Sequence, residues 1–362
     1  MKVSGFPGFD AAVAASALVR TRVSDLTAQA ASGQRAQTFA GLGEDAALAL
    51  DLRSERARRE AFAAAGGRGE AFAEATQIAL GGIHRAARDI LDNGQRVLIN
   101  GLPGSDGASI KTMAETARAS LKTVVGLLGE RFAGDAVFGG AAPDQAPIVS
   151  AAVIENTGLF TGIRAQVRTL GPGNGQAILA ATKVLAQSND PAISPFRGFA
   201  AGAASGLQAD DRRSVPVGEG IAIPVGMYAY RNASAVSEGQ TTGAWSRDLL
   251  WSLSVIANLE PPSAASMADY RVVVEGALAT LRSASNALVE DQAGLGIEQS
   301  RLAAATERNE NLVLQLETQI GKLEAVDLSD VITQLENSKN LLEASYRAMV
   351  TLGDLSLTKF MR

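Results

Sequence analysis

The sequence has no cysteine, one histidine (His84), and only 5% aromatic residues among its 362 positions. Without cysteine there are no disulfides, thiolate metal ligands or thiol nucleophiles. One histidine leaves Ser-His-Asp catalysis and histidine-rich zinc sites with almost nothing to be built from. No stretch of about 18 residues is free of charge, so no transmembrane helix is expected. Met1 to Asp10 has one lysine, no continuous apolar run and no convincing cleavage site, so no cleaved secretory signal is expected. Lys and Arg number 33 against 38 Asp and Glu, a net charge of −5 with no basic block, which argues against a dedicated nucleic-acid binder.

What is abundant is alanine. Hydrophobic residues reach 46%, much of it in runs such as Ala11-Ala12-Val13-Ala14-Ala15 and Ala61-Phe62-Ala63-Ala64-Ala65. Alanine favours helix while burying little area per residue. That composition predicts long helices packed closely on one another, in a chain long enough for two or three domains.

The helical periodicity concentrates at the two ends. Ala12, Ser16, Val19, Val23, Leu26 and Ala30 recur at alternating spacings of four and three, a single stripe of one helix, with Gly33 placed to end it. Glu44 to Ala65 and Glu70 to Asp92 read as helical runs, with Gly66-Gly67 between them able to interrupt or bend the chain, and Asn93-Gly94 and Gly101-Leu102-Pro103-Gly104 signal a loop. Ser109 to Arg131 is helical with Leu121, Val124, Val125 and Leu128 on its apolar face. Beyond Pro261-Pro262, Met267 to Leu288 and Glu298 to Leu323 read as two helices loosened apart by Gly294 and Gly296. Val326-Asp327-Leu328-Ser329 reopens the chain, and the last helix carries Leu335, Ser338, Leu342, Ser345, Met349, Leu352 and Ser356 at strict four-three spacing. Between these ends glycine and proline interrupt the helical texture. Ser214 to Val225 reads as a hairpin about a glycine-containing turn, and helices are expected at Gly175 to Gln187 and Trp245 to Leu259. The expected fold class is mainly α, with long terminal helices and an inserted mixed α/β middle domain. The divisions are 1–135, 136–260 and 261–362.

Motifs that carry chemistry elsewhere are weak here. His84 lies in a helical run between apolar neighbours with no second histidine, which favours a structural role. Gly171-Pro172-Gly173-Asn174-Gly175-Gln176 precedes a helix and resembles an anion cradle, but lacks the Gly-Lys-Ser/Thr ending, so a surface turn is favoured. Asp210-Asp211 beside Arg212-Arg213 reads as a solvated turn, and the sequon Asn232-Ala233-Ser234 carries no weight. No convergent set of titratable groups emerges. No catalytic, cofactor-binding or metal site is expected, and a packing or assembly role comes first.

The termini carry a family resemblance. Leu26-Thr27-Ala28-Gln29-Ala30-Ala31-Ser32-Gly33-Gln34-Arg35, followed by Asp45-Ala46-Ala47-Leu48-Ala49-Leu50-Asp51-Leu52-Arg53-Ser54-Glu55, resembles the N-terminal signature of bacterial flagellins and of the hook-filament junction protein (hook-associated protein 3) family. Val326 to Leu335, Leu342-Glu343-Ala344-Ser345-Tyr346-Arg347 and Leu355-Ser356-Leu357 are similar to the other end of that family. Phe132 to Pro143 and the Val215 to Val225 hairpin are closer to junction proteins than to filament flagellins. Met1 to Pro7 departs from the family's usual polar opening, and Pro7 is expected to delay the helix start. The resemblance implies that the terminal helices pair as a coiled-coil-like rod with the middle domain facing outward. It also implies unfolded export through the flagellar type III channel to an extracellular flagellum. The implied partners are copies of the chain itself, adjacent hook-associated protein and flagellin subunits, and an export chaperone, with no nucleic acid and no membrane insertion. The expected packing positions of the assembly interface are Val19, Val23, Leu26, Leu335, Leu342, Met349 and Leu352. Two alternatives stand beside the junction reading: a flagellin forming the filament itself, and a soluble helical binding module or carboxylate-dependent hydrolase.

Overall fold

The computed structural model describes residues 7–99, 107–140, 142–197 and 212–360, and the side chains of 7–10, 97–99, 264 and 352–360 are outside that description. The elements run α1 (Pro7–Ser32), α2 (Ala46–Ile99), α3 (Gly107–Leu128), β1 (Arg131–Phe132), β2 (Asp135–Ala136), α4 (Gly158–Val167), α5 (Gly175–Gln187), β3 (Ser214–Gly218), β4 (Ile221–Pro224), α6 (Trp245–Ala257), α7 (Met267–Glu324) and α8 (Leu328–Phe360). The chain is mainly helical with two two-stranded antiparallel sheets among the described residues. It divides into two compact units: residues 1–61 with 309–362, and residues 62–308. The expected middle division, 136–260, falls inside the second of these.

The two longest helices are where local sequence misleads. Gly66-Gly67 and Asn93-Gly94 do not interrupt α2, and Gly294 and Gly296 do not loosen α7, which is continuous for 58 residues. Several of these glycines let another side chain lie against the helix backbone. A Cβ on Gly66 would sit 2.2 Å from Thr306 Oγ1, one on Gly82 would meet Leu127 at 2.8 Å, and one on Gly94 would meet Leu278 at 2.6 Å. Tertiary packing thus outweighs the roughly 1 kcal/mol helix penalty of each glycine. The loop expected at Gly101-Leu102-Pro103-Gly104 lies outside the described residues. Pro7 does not delay α1 but is its first residue, a position where the missing N–H costs no helical bond.

The hydrophobic core lies in the second unit. The helix α6 is buried along its whole length and packs against α3, α4 and α5. Trp245, Trp251, Phe160 and Tyr228 are among its largest fully buried side chains. Leu121, Val124, Val125 and Leu128, the expected apolar face of α3, are all buried. The β3–β4 hairpin pairs Val215 with Ile223 and Pro216 with Ala222, with a register shift before Gly218, and turns Val215, Val217 and Ile223 inward. The shorter β1–β2 hairpin turns through Ala133 and Gly134, at φ 51° and 92°. Two successive positive φ values give the turn that matches strand twist, at some steric cost to the alanine.

Candidate assembly surface

In the first unit α1 packs along α8, and the two four-three stripes are the faces turned toward each other. Leu26, Ser16, Ser338 and Val331 are buried, while Val19, Val23, Leu335, Leu342 and Met349 are half-buried. Leu352 is helical, but its side chain is outside the described residues. Arg22 Nη2 donates to Gln334 Oε1 across the pair at 3.4 Å. The seven positions singled out in the sequence therefore belong to an intrachain seam, as far as their side chains are described.

The helix ends explain how the seam keeps its register. Gly33 takes φ +68°, which an L side chain resists, and its N–H still bonds Gln29 O, closing α1 at the residue expected to close it. The chain then runs antiparallel to the α7–α8 junction. Gln34 bridges Ala325, Arg35 N donates to Glu324 O at 2.6 Å, and Val326 N donates to Gly33 O at 3.1 Å. Asp327 Oδ1 accepts from Ser329 N at 2.9 Å, capping the start of α8. Ion pairs Arg35–Asp45 at 2.9 Å and Arg53–Glu324 at 2.5 Å flank this crossing. Sequence reasoning missed this short backbone pairing because nothing in Ser32 to Arg35 alternates like a strand.

Outside the seam, the same helices carry apolar side chains with no cover in the chain. Leu18 is 74% exposed, Leu341 57% and Val350 65%, with Val13, Ile332 and Tyr346 also open. Apolar side chains this open on two paired helices form a surface that a further helix can cover. The periodicity argument did not find them, since they lie off the four-three stripe.

The weak chemical motifs resolve as structural. The glycine-rich Gly171 to Gln176 does cradle an anion, and it is the chain's own. Gly173 N donates to Asp269 Oδ2 at 2.7 Å and Gly175 N to Asp269 Oδ1 at 2.9 Å, and these bonds hold the Asp269 carboxyl below its usual range. His84 Nδ1 lies 3.1 Å from Ser285 Oγ, and its pKa is lowered by burial first and by Arg88 second. A lowered pKa keeps it neutral at pH 7, as suits a helix-packing residue. Asn232 spends its side chain on Ala235 O, Ser237 Oγ and Trp245 N, which gives the sequon asparagine a structural use. Asp210-Asp211 lies outside the described residues. A cleft of 890 Å³ is lined by Val149, Val153, Pro191, Phe196 and Arg197 among others, and a second of 540 Å³ by Lys183, Glu238, Trp251 and Glu275 among others. Among the described residues no group of three His, Asp or Glu is placed to hold a metal ion, and no helix is long and apolar enough to cross a membrane.

Comparison with known proteins places the resemblance at the C-terminus. No curated protein matches the chain. Residues 278–361, which span the latter part of α7 and all of α8, match the family model of the bacterial flagellin C-terminal helical region. That family is structural and self-assembling.

Proposed function

We propose that this chain is the flagellar subunit that joins hook to filament. The flagellin-type C-terminal region supports a structural flagellar subunit. The junction reading rests on the two stretches that resemble junction proteins, Phe132 to Pro143 and the Val215 to Val225 hairpin, and on the first of them packing against residues that flank the second. Gly140 N donates to Met227 O at 2.9 Å, Ala229 N to Phe138 O at 3.0 Å, and Arg213 pairs with Asp135. A Cβ on Gly140 would strike the Tyr228 ring at 2.1 Å, so this packing requires glycine at 140.

In this reading residues 1–135 and 261–362 are the two halves of the helical rod and 136–260 faces outward. Val19, Val23, Leu26, Leu335, Leu342, Met349 and Leu352 hold the α1–α8 pair in the shape that neighbouring copies meet. The exposed Leu18, Leu341 and Val350 are the side chains those copies cover. The chain leaves the cell through the flagellar type III channel with an export chaperone and contacts hook-associated protein and flagellin subunits on either side.

Immunogold electron microscopy of detached flagella, with antibody against residues 136–260, tests this directly. Gold confined to the hook-filament boundary is the expected result. Gold along the whole shaft means a filament flagellin, and overturns the weight placed on Phe132 to Pro143.

A further inference from the structure

Residues 232–244 cross α5, α6 and α7 as a strap with a distinctive set of anchors. One end is fastened by the buried Asp291 of α7, whose carboxylate accepts from Ala233 N at 2.9 Å, from Ser234 N and Ala235 N at 2.8 Å, from Ser234 Oγ at 3.3 Å and from Trp245 Nε1 at 2.9 Å. The other end is fastened by Asp248 of α6, whose Oδ1 accepts from Thr242 N at 2.8 Å. Between them the strap is exposed, Val236 by 75%. Bonds from the helices below that reach it there include Ser283 Oγ to Glu238 O at 2.8 Å, and Lys183 Nζ to Gln240 O. Gly239 and Gly243 stand at φ +80° and +86°, so the strap turns at positions where glycine is free to rotate.

The two anchoring carboxylates differ in how well they are satisfied. Asp291 receives five donors. Asp248 is fully buried, yet its Oδ2 has no hydrogen-bond partner among the described residues. The charges that face it are committed elsewhere. Lys183 of α5 bonds Gln240 O and approaches Thr280 Oγ1 at 3.5 Å while its ammonium lies 4.7 Å from the Trp251 ring centre, with Glu238 and Glu275 lining the same cleft. Arg247 of α6 donates to Tyr230 O, Ala186 O, Ser188 O and Asn189 Oδ1. A buried carboxylate that makes too few bonds is stabilised by regaining water. Among the described residues the non-helical segment bonded to it is the strap.

We propose that the 236–244 strap is a proton-linked cover: closed over the Lys183–Trp251 cleft when Asp248 is protonated, and loosened from its Thr242 anchor when Asp248 ionises. Burial raises the Asp248 carboxyl from 3.8 to about 6, against the lowering pull of the Thr242 bonds, Lys183 and Arg247. An open strap returns that carboxyl toward its ordinary value, so rising pH favours opening. The linkage thus acts between about pH 4 and about pH 6, and what changes is access to a cleft of 540 Å³.

Hydrogen–deuterium exchange on the full chain at about pH 5 and about pH 8, corrected for intrinsic exchange, is the test. Opening of peptides over 239–244 is expected to rise on the order of tenfold at the higher pH, while peptides from α4 stay level. Asp248→Asn keeps an acceptor for Thr242 N but cannot ionise, so the rise should vanish. An equal opening at both pH values in the natural chain, or the same rise in Asp248→Asn, overturns the proposal. If that variant does not fold, acrylamide quenching of the natural chain decides: quenching of the tryptophans should increase as pH rises from about 4 to about 6, and a flat profile is a refutation.

Discussion

The two compact units are built largely from alanine-rich helices, yet only one has a thick core. In residues 62–308 a fully buried α6 supplies a third layer, so α3, α4 and α5 have something apolar on the side away from solvent. In residues 1–61 with 309–362 the helices meet along a seam only, and among the described residues the buried hydrophobics are Leu26, Leu42, Ala49, Ile320 and Val331. Burial scales with apolar area removed from water, so a two-helix seam is stabilised far less than a layered core. The comparison teaches that an organised apolar stripe is not itself stability. The first unit has order to spare for a partner and the second is finished on its own.

Substitutions can break that contrast, beginning where the effect is greatest. Trp245→Ala empties a fully buried site and removes a donor from Asp291, and should cost the second unit about 3–5 kcal/mol in denaturant unfolding followed by near-ultraviolet circular dichroism. Leu342→Asp, on the half-buried seam, should lower helicity in the first unit and abolish incorporation into flagella. It should leave that near-ultraviolet signal, and thus the second unit, unchanged. Normal incorporation by Leu342→Asp would falsify the role given to the stripe.

Acidity sharpens the contrast. Because burial raises the Asp248 carboxyl to about 6 in the fold, the buried charge costs stability above that pH, and the cost is relieved as pH falls through about 6 toward 3.8. The second unit should therefore gain on the order of 2 kcal/mol between about pH 7.5 and about pH 4.5, less in Asp248→Asn, measured as the shift in denaturation midpoint. Adjacent glycines give a smaller and opposite pair. Gly66→Ala places a Cβ against Thr306 and should destabilise by about 1–3 kcal/mol, whereas Gly67→Ala meets nothing within 4 Å and should stabilise by up to about 1 kcal/mol. The smallest effect is expected at Ala133, whose φ of 51° suits asparagine better. Ala133→Asn should raise stability by about 0.5–1 kcal/mol in thermal unfolding.

Much of this architecture was legible in the residues. The stripes of α1 and α8, the closing role of Gly33, the helix over Gly175–Gln187 and the Ser214 to Val225 hairpin all follow from spacing and turn chemistry that act within a few residues. Val19, Val23, Leu26, Leu335, Leu342 and Met349 fall on the stripes by spacing alone, though spacing does not say which helix they face. The anion cradle at Gly171 to Gln176 was visible in outline, but its occupant, Asp269, lies 94 residues beyond Gly175 and leaves no local trace.

The amino-acid sequence by itself determined the helical class, the two amphipathic ends and the scarcity of catalytic material. Those depend on composition and on periods of three to four residues. Only the tertiary structure decided that α2 and α7 run unbroken through their glycines, that the two stripes meet within one chain, and that Asp248 and Asp291, both carboxylates, are held so differently. Each of those outcomes depends on which distant side chain arrives beside a given backbone or charge, and on whether it brings a methyl group, a donor or nothing at all.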